Sequence, residues 1–596
     1  MPSTNDSFAV SAARASDTVC ALPDRTSASW ATTALIVALL SATVCVPMLW
    51  LHRDSMRNLI SFHGTLHAAL GQRFADGTVP PENPYFAGET VRYYWLYHGV
   101  GYMLARAANI SVVYAFEILS VMSVILVAAA GVALGRRVFG STAAGAVIFL
   151  LVMAGSNPLG WAILLAKVLR DGVRIMNGPA TAVVSPMLQQ VQFDDHRFGP
   201  NFTFFMHMTS RAASIALLVA ALWLLWYWLR KGRRTAGVML PIAVALMAAL
   251  SPVMGLAVAG ALGLSLLAMC VWQRGGARRV EETAPYPRMF SAAVLVGVGA
   301  LLSLPTMLNI LGKTTNMPTV RIDATRLPLY GIIAVNGFPL LLLALLGAGG
   351  GDQAAKGFSR VLLVAGAILM AWSALLAMPG TIPPHGVIGN EHNLFNAAMV
   401  LLAIPAAGWV ALNARQVWPV WMQSSVRRSA CILVLFVPTS LLILTAYTGR
   451  ADVPVGCAAD RLVWTQPGDA IAKLYDWVAS QTPKDAIFII DPEAKIDRLC
   501  NVSDFPAFTN RTLYTDFSTY MTEAYPEEAF RLQWSKVIAR GEGVPLDIRH
   551  SLSQMNRPIY VLTHQANNED LRARLEKRYG PAVFAAEAIA VFSWTK

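Results

Sequence analysis

HRDSMRNLISFHGTLHAALGQRFADGTVPPENPYFAGETVR, residues His52–Arg92, is a polar insert set between two apolar runs long enough to cross a bilayer. It carries an acid just behind the first run, two histidines and a Pro-Pro-Glu-Asn-Pro turn, and it leads into the aromatic run Tyr93–Tyr94–Trp95–Leu96–Tyr97–His98. A connector needs only polarity and turn residues. Titratable and aromatic groups gathered at a membrane edge make this loop the first candidate for a reaction site.

The rest of the chain supports a membrane setting. Of its 596 residues 55% are hydrophobic and 14% charged, which excludes a soluble domain with a single anchor and predicts a polytopic α-helical membrane protein. Apolar runs of spanning length lie near 31–51, 112–134, 141–157, 209–229, 289–311, 327–347, 360–378, 393–412 and 429–447. The stretch 237–272 holds two more, broken at Ser251–Pro252, giving about eleven transmembrane helices. The first run is too long for a signal-peptide core and reads as a retained span, preceded by a polar cytoplasmic tail over 1–29.

The net charge of +12 is spread in short clusters between the apolar runs, which excludes the continuous basic face that nucleic acid requires. Arg136–Arg137, Lys231 with Arg233 and Arg234, Arg274 with Arg278 and Arg279, Lys356 with Arg360, and Arg427–Arg428 fall on alternate connections. Those connections read as cytoplasmic. The opposite, exoplasmic side then receives the first loop, 52–92, and Asn157–Met208, Gly312–Arg326, Pro379–His392 and everything after Thr448. This parity requires 93–108 to be an interfacial helix, which its aromatic residues and flanking Arg92 and Arg106 suit.

Residues 448–596 change character and read as an exoplasmic α/β domain, periplasmic in a bacterial cell, following the transmembrane domain over 30–447. Asp469–Ser480 has amphipathic helical spacing, and Ala486–Asp491, Arg511–Asp516, Pro558–Thr563 and Ala588–Trp594 read as strands. Cys457 and Cys500 share this segment and are a candidate disulfide, worth roughly 4 kcal/mol in a chain-entropy model. Two buried free thiols are the alternative.

The order of first span, acid, histidine-bearing helix, PPENPYFAG turn and YYWLYH helix resembles the integral-membrane glycosyltransferases of the GT-C fold, including the bacterial YYY-type membrane proteins. The resemblance covers Trp50–Phe139 by motif, extends by hydropathy to Tyr447, and is supported by a tail containing WVASQTPKDAIFIID (Trp477–Asp491). It implies transfer of a sugar from a polyprenyl-phosphate donor to a cell-envelope glycan, lipid or protein at the inner membrane. It also implies Asp54 as the general base that takes the acceptor's proton. Where several such enzymes carry an Asp-Glu pair, this chain has Asp54–Ser55.

Other candidates come from residue chemistry. His63 and His67 lie at i and i+4, as do Tyr94 and His98 with Tyr102 a turn further, which places each set on one helix face. His63 and His67 are candidates for a metal or a phosphate, with hydrogen bonding within the loop as the alternative, and Tyr94 and His98 for a sugar or phosphate wall, with interfacial anchoring and packing as the alternative; two histidines alone are an incomplete metal set. Arg211, at the exoplasmic edge of its span, suits a donor phosphate, and snorkelling explains it equally well. His385, Glu391 and His392 form the last exoplasmic cluster, with Arg321 and Arg326 as lesser phosphate candidates. Asp194 and Asp195 are further candidates for a divalent metal, the one cofactor the sequence raises. No nucleotide-binding glycine loop or HExxH zinc motif occurs, which disfavours ATP coupling and nucleotide-sugar chemistry. Two rival classes stand beside the transferase: a flippase or transporter of lipid-linked saccharide, and a non-catalytic assembly protein on the same fold.

Overall fold

A computed structural model of the protein describes residues 30–52, 62–155, 201–206, 208–275, 286–311, 321–322, 327–377, 391–412, 419–436, 470–492, 498–499, 502–503, 505–516 and 525–594. The chain enters through α1 (Trp30–His52), forms the shorter α2 (Phe62–Gln72) and α3 (Leu96–Ala108), and continues through α4 (Val112–Phe139) and α5 (Thr142–Ala154). After α6 (Phe202–Met206) come α7 (Ser210–Lys231), α8 (Arg234–Leu250), α9 (Pro252–Gly275), α10 (Tyr286–Leu302) and α11 (Leu304–Leu311). The membrane region ends with α12 (Leu327–Gly347), α13 (Gln353–Leu375), α14 (Glu391–Ala411) and α15 (Ser425–Phe436). Strands β1 (Arg321–Ile322) and β2 (Leu376–Ala377) pair beside it.

Every apolar stretch identified in the sequence coincides with a described helix, the last of them as far as Phe436. Seven of these helices are long and apolar enough to cross a membrane, and three more are shorter apolar helices. The break at Ser251–Pro252 falls where expected: α8 ends at Leu250, and Pro252, which lacks an N–H, opens α9. Helix α14 is the centre of the bundle, with 94% of its most apolar window buried, whereas α1, at 22%, lies at the rim.

Small residues set the closest contacts. Gly140, at φ 64°, ends α4, and Ser141 caps α5 by accepting from Ala144 N. The two helices then touch through glycine: a Cβ on Gly135 would stand 2.1 Å from the Gly145 nitrogen.

The basic helix ends collect at one end of the bundle. Arg136 bonds Thr33, Arg230 pairs with Asp352 at 2.5 Å, and Arg288 donates to the Arg230 carbonyl at 2.8 Å. Arg428 caps the end of α14 through the carbonyls of Val410 and Leu412, both at 2.7 Å. The opposite end carries α2, α3 and the C-terminal region.

That region is α/β. Helix α16 (Ala470–Gln481) precedes β3 (Ile487–Ile490), the small hairpin of β4 (Arg498–Leu499) and β5 (Val502–Ser503), α17 (Phe505–Thr509) and β6 (Thr512–Leu513). Helices α18 (Glu528–Ala539) and α19 (Leu546–Gln554), β7 (Ile559–Thr563), α20 (Glu569–Tyr579), β8 (Phe584–Ala586) and β9 (Ile589–Ser593) follow. The sheet order is β6-β3-β7-β9-β8, with β6, β3 and β7 parallel and β9 and β8 antiparallel to their neighbours. All four strands expected from sequence are present. Buried Arg511 ties the sheet to α16 by donating to the carbonyls of Val478, Ala479 and Thr482.

The first loop is built into this sheet region. Leu66, Ala69, Leu70, Tyr85 and Val91 share one apolar core with Leu474, Phe488, Phe505, Leu513 and Val591. The turn runs beside β6: Leu513 N donates to Pro84 O at 2.9 Å, Ala87 N to Leu513 O at 2.9 Å, and Asp516 N to Tyr85 O at 3.1 Å. Side chains lock it further. Phe86 stacks on Tyr525 at 4.5 Å, the Arg92 guanidinium lies over the Tyr525 ring at 4.3 Å, and Arg531 lies 4.0 Å from the Phe86 ring while donating to Ala87 O. Each large apolar side chain so buried contributes about 1.5–3 kcal/mol, so 62–95 and the tail stabilise one another.

Glu82 is the ionic part of the clamp, accepting from Arg73 at 2.6 Å, from Arg557 and from Gly88 N at 2.8 Å. Burial pushes its carboxyl up, but the Gly88 N–H and the guanidiniums of Arg557 and Arg73 outweigh this and hold it below the usual range. A depressed carboxylate contributes stability above its unfolded value and loses it as pH falls through the folded one. Glu82→Gln is therefore expected to destabilise the protein by about 2 kcal/mol at pH 7. Thermal unfolding in detergent should show the gap held down to the ordinary carboxyl value of 4.5 and closing only below it, as pH falls through the depressed folded value; a gap that does not narrow anywhere below 4.5 would mean the carboxylate charge is not what matters.

Candidate functional site

The site is built where α2, α3, α4 and the start of α7 meet. His67 faces α3 from the middle of α2, and His98 lies in the first turn of α3; both are fully buried. His67 Nδ1 and His98 Nε2 are 2.7 Å apart, with ring centroids at 4.9 Å. One of these nitrogens donates and the other accepts, so the neutral pair shares a single proton across the contact. Tyr97 packs edge-on to His67 at 5.4 Å and stacks on Phe116 of α4 at 4.9 Å. Its hydroxyl donates to Met208 O at 2.8 Å, which fastens α3 to the residues leading into α7. Gly101 permits this approach, since a Cβ there would stand 2.2 Å from the Phe116 ring.

Arg211 is the second residue of α7, buried with its guanidinium 5.2 Å from the Phe204 ring. Its charge reaches His67. Burial first, then the charges of His98 and Arg211, hold His67 well below the ordinary imidazole range. Burial pushes His98 down to about 3, against the opposing carbonyls of Tyr94 and Trp95. The pair is neutral at pH 7, and Arg211 supplies the permanent positive charge of this corner.

Of the residues singled out from sequence, Tyr94 lies half-buried over His98, with ring centroids 6.2 Å apart, and Arg211 stands near enough for its charge to act on His67. The helical spacing pairs His67 with His63; the structure gives His67 a partner from another helix, 31 residues along. His63 lies in α2, with its side chain outside the described residues. Tyr102 is scaffold, stacking on Phe74 at 6.3 Å. Asp54, Asp194, Asp195, Arg326, His385, Cys457 and Cys500 also lie outside the described residues.

Glu391 and His392 form a second polar group. They occupy the first turn of α14 and are buried together with Asn393 and Asn396. Neither asparagine was singled out from sequence, although Asn at 393 and 396 repeats the i, i+3 spacing of one helix face. Tyr97 was also passed over, because its role is carried by a backbone carbonyl more than a hundred residues away.

Among the described residues, no group of three or more His, Cys, Asp or Glu side chains is arranged to hold a metal ion. The facing nitrogens of His67 and His98 are engaged with each other, and two imidazoles fall short of the three or four ligands that zinc takes.

Comparison with known proteins places these features in a family. The chain resembles the crystal structure of ArnT from Cupriavidus metallidurans bound to undecaprenyl phosphate, with 12% identity, a TM-score of 0.50, and coverage of 94% of this chain and 97% of that one. It also resembles the mycobacterial arabinofuranosyltransferase AftD, with 15% identity and a TM-score of 0.50, covering 94% of this chain and 41% of AftD. At these identities the likeness establishes the fold, which is GT-C. No curated protein matches the sequence. Residues 63–447 match the family described as "Uncharacterized membrane protein (DUF2298)", a match that includes α2, α3 and α7 and so the whole histidine corner. The chain is thus a multi-pass membrane protein of GT-C fold with a C-terminal α/β region, and it belongs to the DUF2298 family.

Proposed function

We propose that this protein is a membrane glycosyltransferase that moves a sugar from a polyprenyl-phosphate donor to a cell-envelope acceptor on the exoplasmic side. The observation that carries the reading is the corner of buried Arg211, His67 and His98 with half-buried Tyr94, set where the first loop meets the bundle in a GT-C fold. Orientation follows from the basic end of the bundle, which the positive-inside tendency assigns to the cytoplasm. The loop, the histidine corner and the tail then face the exoplasmic compartment.

The chemistry suits the residues. The acceptor oxygen attacks the anomeric carbon, the bond from that carbon to the phosphate oxygen breaks, and the phosphate leaves with the electron pair. Asp54 takes the acceptor's proton. Arg211 holds the leaving phosphate through charge-assisted hydrogen bonds. The histidine pair meets the phosphate in its neutral form, with one outward N–H between the two rings, and takes up a proton as negative charge arrives. Glu391, His392, Asn393 and Asn396 contact the sugar or acceptor from α14. Movement of lipid-linked saccharide without chemistry calls for ionisable groups at mid-span depth; Glu391 and His392 stand in a first turn instead.

Reconstituted protein offered a panel of polyprenyl-phosphate sugars is expected to transfer at least one. Asp54→Asn should lower that transfer at least about 100-fold, and full transfer in the variant would remove Asp54 from the mechanism. Movement of intact lipid-linked sugar across vesicles with no covalent product would replace the transferase by the transporter.

Binding carries a pH signature. A phosphate beside the pair stabilises imidazolium, so the bound-state pKa exceeds the depressed free-state value and binding takes up a proton between the two. Affinity for undecaprenyl phosphate should therefore rise as pH falls through the bound-state value towards the depressed free-state one, by up to about tenfold per unit for one proton. The phosphate's own titration, near pH 6, is separated by comparison with His67→Gln and His98→Gln. Slopes identical in all three proteins would exclude the pair from phosphate binding.

A further inference from the structure

Helix α2 is held on two faces by different parts of the chain. Leu66, Ala69 and Leu70 lie in the core formed with the tail's Phe488, Phe505 and Leu513, while His67 is turned to Tyr97, His98 and Phe116. At the end of α2 the Gln72 Nε2 donates to Ala507 O of α17 at 2.9 Å. The next residue, Phe508, packs against both clusters: the core shared by loop and tail, and the group of Tyr97, Phe116 and Met208 that frames the histidine corner. Its ring is itself fixed by stacking on Tyr475 of α16, at 5.4 Å and 10°.

We propose that Phe508 and Gln72 are positioning residues, through which the C-terminal region sets the rotation of α2 and with it the His67–His98 contact. The reason is geometric. A side-chain atom lies about 6 Å from a helix axis, so turning α2 by about 20° moves the imidazole by about 2 Å. A hydrogen bond of 2.7 Å does not survive that displacement. On the bundle side Gly71 packs closely against Val112 and Phe116, and His67 against the Tyr97 and Phe116 rings, apolar contacts that carry no direction of their own. The tail side adds a directional hydrogen bond at Gln72 and a ring wedged at Phe508, and these remove the freedom to turn. Assigning a purpose to the contact rests on the donor-phosphate reading; the positioning itself does not.

The full-length protein in detergent, labelled with nitrogen-15 at histidine, provides the test. The imidazole signals of His67 and His98 are assigned with His67→Gln and His98→Gln. Phe508→Ala and Gln72→Leu are each expected to shift both signals towards those of separated rings and to weaken undecaprenyl phosphate binding about tenfold, while Phe508→Tyr keeps the wild-type spectrum and affinity. Near-UV circular dichroism checks that the tail remains folded. Should Phe508→Ala lose that signal, Gln72→Leu, which removes one donor and preserves bulk, decides alone. Unchanged imidazole signals in a folded Gln72→Leu or Phe508→Ala overturn the proposal. Shifted signals in a protein whose wild type binds no lipid phosphate uphold the positioning and overturn the donor-phosphate reading, so the two failures are told apart.

Discussion

Helix α2 buries Leu66 and Leu70 in the tail's core and sets His67 against Tyr97, His98 and Phe116 of the membrane side, so two bodies of structure must agree on the position of eleven residues. An isolated helix of that length is marginal in water, and its stability here comes from packing on both faces. The clamp around Glu82 and the rings of Phe86, Tyr525 and Arg531 then fixes the strand-like turn that follows. Without the tail the loop would have no core; without the loop, β6 would be left as an open sheet edge.

This mutual dependence explains what the sequence disclosed and what it withheld. Hydropathy marked every membrane helix because lipid imposes a continuous apolar run on any span. The α/β character of the tail was equally visible in stretches such as Ala486–Asp491, whose strand Ile487–Ile490 is fully buried and must be apolar on both faces. The turn over Pro80–Pro84 was visible in the sequence from its prolines, but its partner did not show. Leu513, Tyr525, Arg531 and Arg557 lie more than 400 residues along, and no local periodicity encodes a pairing across that distance.

The same limit applies within the site. Spacing suggested one helix face for Tyr94 and His98; the rings do meet, but α3 begins only at Leu96 and Tyr94 precedes it, while the same spacing linked His67 to His63 within α2. The contact of His67 with His98 joins two helices at an angle that only the glycine and aromatic packing around Phe116 determines. Arg211 was legible as a charge at a span edge. That it acts on His67 depends on Tyr97 fastening α3 beside Met208, a backbone contact with no sequence signature.

A permanently charged second cation beside Arg211 would suit a bound phosphate and cost heavily in its absence, since two like charges would face each other away from water. A buried pair of imidazoles avoids that cost. With one shared proton the pair is neutral and internally bonded, so the empty corner carries only the arginine charge, partly offset by the Phe204 ring. On the proposed reading, an anion entering beside them would let the same two rings take up a proton and become a cation only when that charge is favourable. Burial is what makes this conditional: an exposed histidine near its ordinary pKa would already be partly protonated, whereas His98, pushed down to about 3, stays neutral until a negative group arrives. The tight packing of α2 and α3 is therefore part of the electrostatics, because every wall that excludes water from the pair also keeps its charge waiting on the ligand.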